Sequence, residues 1–140
     1  MTREAIVALF HRRQEAINQH DVTALAALHS EACVIESPMS GTVHGREAIG
    51  KVYETWMTAF PDLVASQEEM VIDGDHGVQL MMLVGTDTGG FMGLAPSNKK
   101  FRIPLVFLSM VADGQIVQER RVYDFTGMLV QIGVLKARPG

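Results

Sequence analysis

Asp124 is the side chain in this sequence whose neighbours best suit proton transfer. It lies near the end of a predicted strand, between Tyr123 and Phe125 and close to Val122. A carboxylate in apolar company loses hydration, which raises its pKa and makes it a stronger base at neutral pH. Such a group can remove a proton held between two carbonyls and return it to a new alkoxide, with no covalent nucleophile. Strand alternation groups Asp124 with Val122, Arg120 and Gln118 on one face, and Tyr123, Arg121 and Glu119 on the other. On that reading Arg120 and Gln118 are candidates to orient a substrate beside Asp124. The plainer alternatives are an Asp124–Arg120 ion pair, or Asp124 as a cap on the turn that follows.

Two further polar positions come into question. Asp87 could stand beside Asp124 as a second carboxylate, the two sharing a proton. It could equally begin the Thr88-Gly89-Gly90 turn, the reading slightly favoured by its position at a strand end. His44 precedes Gly45 and a predicted helix, where it could hydrogen-bond a ligand at a cavity mouth or do nothing. His11, His20, His29 and His76 show no metal-ligand spacing, so no metal site is expected. Asp73-x-Asp75 resembles the start of a calcium loop, but its twelfth position is Val84 rather than Glu. The glycines between Gly85 and Gly93 lack the pattern of a phosphate-binding loop.

Helices and strands must position these groups. Ile6, Val7, Phe10 and Ile17 recur at helical spacing over residues 3–19. Asp21 reads as the N-cap of a short second helix carrying Leu25 and Leu28. Cys33–Ile35 reads as a short strand, and Ser37–Gly45 as a loop. From Arg46 the apolar residues Ile49, Val52, Tyr53, Trp56 and Phe60 form one stripe that Pro61 ends. Tyr53, Trp56, Met57 and Phe60 are expected to pack on a sheet, with the inner members lining a pocket. The period then changes to that of strands. Val64–Ile72 and Val78–Thr88 flank a turn at 73–77, and Phe101–Val111 and Ile116–Thr126 flank Asp113-Gly114. Gly127–Val134 has room for a last short helical turn. The expected class is α+β, helices of the first half covering one face of an antiparallel sheet. Leu80–Leu83 and Leu105–Leu108 are apolar on both strand faces. A homodimer packed through the outer sheet face would cover the second side.

The chain has 140 residues, 47% of them hydrophobic and 20% charged, which fits one folded domain over 1–140. A net charge of −4 argues against a nucleic-acid or anionic-membrane partner. Lys99-Lys100 and Arg120-Arg121 are short basic pairs of the kind found on a solvated face. One cysteine, Cys33, permits no internal disulfide. The stretch from Ile103 to Ala112 is too short to span a bilayer. No signal-like segment follows Met1, so a cytoplasmic protein is expected. Nine methionines, among them Met39, Met81, Met82, Met92 and Met110, suit a flexible lining for a bulky apolar or aromatic small molecule.

The ordered set of segments is similar to the SnoaL-like polyketide cyclases of the nuclear transport factor 2-like superfamily. The similarity runs through Gly45-Arg46-Glu47-Ala48-Ile49, Trp56–Asp62, Gly85-Thr86, Gly90-Phe91-Met92-Gly93 and Pro96 to Asp124–Gly133. It covers about residues 3–135. The resemblance implies a cone-shaped α+β barrel around a closed-ended cavity. It also implies an intramolecular aldol condensation on a polyketide ester with no cofactor, which would make the chain a lyase or isomerase. The family's acid/base aspartate falls on Asp124, and Phe91 falls in a segment near the expected pocket. Asp87 stands where the family often has a histidine. A histidine can donate to a substrate oxygen, whereas an ionised aspartate only accepts. Two other activities occur on this scaffold. Epoxide hydrolysis of the limonene-epoxide-hydrolase type would use Asp124, Arg120 and Asp87, and a non-catalytic module would simply bind a small molecule.

Overall fold

The computed structural model describes residues 1–136. The last four positions of the domain expected over 1–140 lie outside the described residues.

Two helices open the chain, α1 (Arg3–Asn18) and α2 (Val22–Ala27). Thr2 caps α1 by accepting from the Ala5 amide at 3.1 Å, and Asp21 caps α2 through the Ala24 amide at 3.0 Å. These bonds satisfy amides that the first helical turn leaves without partners. Strand β1 (His29–Ser37) and the short β2 (Gly41–His44) follow, then α3 (Arg46–Ala59). Two long hairpins come next, β3 (Val64–Asp73) with β4 (His76–Thr86) and β5 (Lys100–Ala112) with β6 (Gln115–Tyr123). Helix α4 (Phe125–Gln131) closes the described fold.

The six strands form one sheet in the order β2-β1-β6-β5-β4-β3. Every neighbouring pair is antiparallel except β1 with β6, which run parallel. The segment expected to be a loop from Ser37 to Gly45 is instead the turn and second strand of a hairpin. Ser37 pairs with Gly41 and Val34 with His44. Gly41, at φ +63°, takes the left-handed conformation that lets the chain turn so tightly.

The core lies between the sheet's inner face and α1 and α3. Alternate residues of β4 (Gly77, Gln79, Met81, Leu83, Gly85) and β5 (Phe101, Ile103, Leu105, Phe107, Ser109, Val111) are buried there. Helix α3 contributes Ile49, Tyr53, Trp56 and Met57, and its C-cap Phe60 closes the stripe. Trp56 packs against the rings of Phe60, Phe91, Phe101 and Tyr123 at 5.5–6.2 Å between centroids. The outer face stays open in a single chain. Leu80, Met82 and Val106 are half-buried, and Leu108 and Val122 are exposed.

Candidate active site

A cavity opens between α1, α3 and the inner sheet face. Ile17, Val52, Trp56, Leu63, Leu83, Leu105 and Phe107 give it apolar walls. Ser37, Tyr53, Arg121 and Tyr123 supply its polar atoms. About 50 Å³ is open to the centres of water-sized spheres, several times what one water needs.

Beside the cavity lies a buried polar cluster that the sequence reading did not single out. Arg13 of α1 is fully buried, and Glu119 of β6 nearly so. They form an ion pair through Arg13 Nη1 and Glu119 Oε2. Arg121 Nε donates to the other carboxylate oxygen, Oε1, at 3.0 Å. Ser109 Oγ donates to Oε2. Gln79 accepts from Arg13 Nε and Nη2 at 3.3 and 3.1 Å. The Arg13 guanidinium also stacks 3.7 Å from the Phe107 centroid, an arrangement in which the ring face attracts the cation. Arg121 Nη2 donates to the Tyr53 hydroxyl at 2.9 Å.

This arrangement sets the ionisation states. Burial opposes the charge on Glu119, but Arg13 and Arg121 overcome it and hold the carboxyl near 2. Burial pushes the Tyr53 phenol up, against the lowering effect of Arg121 and Arg13. His29, packed with its ring 6.0 Å from that of Tyr53, is lowered to about 4, chiefly by burial. The cluster therefore carries two guanidinium cations, one carboxylate and neutral Tyr53 and His29. Burial also raises the Cys33 thiol to about 11, which keeps it protonated and unreactive.

The residues expected to form the site separate into three groups. Tyr53 and Trp56 line the cavity, as expected of the inner members of the α3 stripe. Met57, Phe60 and Phe91 are buried in the core around it.

Arg120 and Gln118 face the opposite way. They border an outer groove with Val34, Glu36, His76 and Leu108. Arg120 pairs with Glu36 at 3.0 Å rather than with Asp124. The inner face of β6 belongs to Glu119, Arg121 and Tyr123. His44 is exposed in a second groove with Glu31, Arg46, Glu47 and Lys51.

The carboxylates are also apart from the cavity walls. Asp124 is exposed, and its Oδ1 accepts from the Gly127 amide at 2.9 Å as the N-cap of α4. Its φ/ψ of −80°/83° has left the strand, so strand alternation no longer dictates where it points. Asp87 is buried but occupied. It accepts from the Gly90 and Ser97 amides at 3.1 Å each, and so pins the 87–99 connection. The structure thus brings together neither an Asp87–Asp124 pair nor the Asp124–Arg120–Asp87 set that epoxide hydrolysis would use. Among the described residues no group of three His, Cys, Asp or Glu side chains could hold a metal ion.

One signal for the missed cluster was present. Arg13 sits on the same helical stripe as Ile6, Phe10 and Ile17, and a cation on a buried stripe requires a buried anion.

The sequence profile of the SnoaL-like polyketide cyclases matches residues 8–132, nearly the whole described chain. The chain belongs to the SnoaL-like polyketide cyclase family. Solved structures agree with this assignment. AclR of Streptomyces galilaeus, provisionally described as a hydroxylase, is 25% identical with a TM-score of 0.86, over 99% of this chain and 87% of that one. IdmH of Streptomyces antibioticus, provisionally described as a polyketide cyclase, is 29% identical with a TM-score of 0.78, over 91% of this chain and 97% of that one. A SnoaL-like protein of Jannaschia sp. CCS1 shares the fold at 22% identity and a TM-score of 0.84, over 97% and 94%. No curated protein matches the chain. The SnoaL-like fold places helices on one face of a curved sheet, as here, and no helix among the described residues is long and apolar enough to cross a membrane.

Proposed function

We propose that this chain is a cyclase- or isomerase-type enzyme acting on a small, largely apolar, polyketide-like substrate without a cofactor. The observation that carries this reading is the cavity: apolar walls from α1, α3 and the sheet, with hydroxyls and a guanidinium gathered at one side. Two further solved structures of this fold contain small molecules, one trimethylamine and the other polyporic acid.

The chemistry would be an intramolecular aldol closure. A base removes the proton between two carbonyls, the enolate carbon attacks a ketone of the same molecule, and the resulting alkoxide takes the proton back. Asp124 would carry that proton from the rim. It follows Tyr123, which lines the cavity, and its cap bond engages Oδ1 alone. A substrate reaching Asp124 would therefore extend outward past Tyr123.

Asp124→Asn keeps an acceptor for the Gly127 amide and removes the base. Turnover of a linear poly-β-carbonyl test substrate should fall at least about 100-fold, with thermal stability near that of the parent. Full turnover in this variant sinks the role of Asp124.

The exposure of Asp124 favours a second reading, a binding module on the same scaffold. Saturable ligand binding with no turnover by the parent protein would decide for it. In either case a second copy would cover the outer sheet face. Cross-strand rows there carry apolar stretches, Val122–Val106–Leu80 ending at Glu69 and Leu108–Val78–Val71 beginning at Arg120.

A further inference from the structure

We propose that the polar side of the cavity receives an oxygen anion, so that the ligand is a monoanion with an apolar body, bound through Arg121 and Tyr53. The inference rests on the small-ligand reading of the cavity and adds the ligand's charge.

Arg13 lies outside the cavity wall and makes four bonds within the protein: Nε on Gln79, Nη1 on Glu119, Nη2 on Gln79 and Ser109. Glu119 is equally occupied, Oε2 by Arg13 and Ser109 and Oε1 by Arg121. Arg121 is not. Nε reaches Glu119 and Nη2 reaches Tyr53, while Nη1, with two N–H groups, has no acceptor among the described residues. The Tyr53 hydroxyl accepts from Arg121, and its own proton likewise finds no acceptor among the described residues. Both side chains line the cavity. The unused polar capacity of Arg121 and Tyr53 there consists of donors.

Charge gives the same answer independently. Glu119 is the one carboxylate acting on Arg121, and it is shared with Arg13. With His29 neutral, two cations face one anion, and the net positive charge at a site only 7% exposed meets, besides Glu119, the ring faces of Tyr53 and Phe107 rather than a second carboxylate. An unpaired buried charge is unfavourable, and a counter-anion entering the cavity relieves it. Among the described residues Arg121 is also the sole charged one on the cavity wall. A neutral carbonyl oxygen can accept from Nη1 but brings no counter-charge into the apolar enclosure, whereas a carboxylate, enolate or phenolate oxygen meets charge-assisted donors and supplies that charge. Lys99, Lys100 and Arg102 lie outside this wall and do not contribute.

The sole tryptophan, Trp56, lines the same cavity and reports on occupancy by its fluorescence. The probes are phenylacetate and phenylacetamide, equal in shape and different in charge. Phenylacetate should quench Trp56 with at least about tenfold higher affinity than the amide, the scale of one charge-assisted hydrogen bond. Arg121→Met should bring the two affinities together. Tyr53→Phe, which keeps the ring, should narrow the gap and does not depend on Arg121→Met folding. Equal affinities in the parent protein, or a preference that survives both variants, would overturn the monoanion inference and leave a neutral-ligand cavity standing. No quenching by either probe would overturn the small-ligand reading as well.

Discussion

The Nδ1–H of His29 donates to the Leu25 carbonyl at 2.8 Å, so Nε2 is the unprotonated nitrogen, and it has no hydrogen-bond partner among the described residues. Protonating it would add a third cation beside Arg13 and Arg121. Its folded pKa of about 4 lies below the ordinary 6.5. The unfolded chain therefore binds more protons between those values, and stability falls as pH drops from 6.5 toward 4. The loss should be roughly 3 kcal/mol. Glu119, lowered from 4.5 to about 2, adds a further loss below 4.5. Urea unfolding of His29→Gln across this range should show the upper limb flattened and the lower limb kept. An unchanged upper limb would mean that another group titrates there. The sequence conceals this cluster because a charged residue in a strand ordinarily reads as solvated. Glu119 and Arg121 alternate with Gln118, Arg120 and Val122, and nothing local distinguishes the two sets. Only Arg13, out of place on an apolar stripe, betrays which set turns inward.

Elements whose signals are local were legible. The α3 stripe, its end at Pro61 and the Asp113-Gly114 turn all appear as expected, with Asp113 and Gly114 at positive φ. The β1–β2 hairpin was hidden because Ser37–Gly45 holds glycines and a proline, which usually mark a loop. The docking of α1 across the sheet was hidden too, being a contact distant in sequence. It depends on Gly77. A Cβ built at Gly77 would overlap the Phe10 ring, 2.6 Å from Cζ, and Phe10 is wholly buried. Gly77→Ala should cost about 1–3 kcal/mol in unfolding free energy through overpacking. A cost near zero by chemical denaturation would show that α1 can lift to make room. The same substitution at Gly74, where a Cβ would meet no described residue within 4 Å beyond its chain neighbours, tests only the strain of its positive φ.

For the molecule as a whole, class and layer order follow from the alternation of periods along the chain, but the sheet order does not. Nothing in β1 or β6 announces that they lie side by side in parallel. The uncovered outer face bears on assembly. Val122 is 52% exposed and stands in the apolar row with Val106 and Leu80. Val122→Glu should shift a dimer to monomer in sedimentation velocity without lowering the thermal midpoint of the monomer. A parent protein that is already monomeric at high concentration removes the sheet-to-sheet dimer. The β1–β6 pairing also has a consequence for how the chain is made. Among the described residues the β1–β2 hairpin has no sheet neighbour other than β6, and Arg13 waits for Glu119. While the ribosome is still copying the middle of the message, α1 can already rest on β3 and α3 on α2 and β1, but one edge of β1 is open and Arg13 has no counter-charge. Both needs are met by one of the last strands to emerge, so closure of the sheet waits for nearly the whole polypeptide.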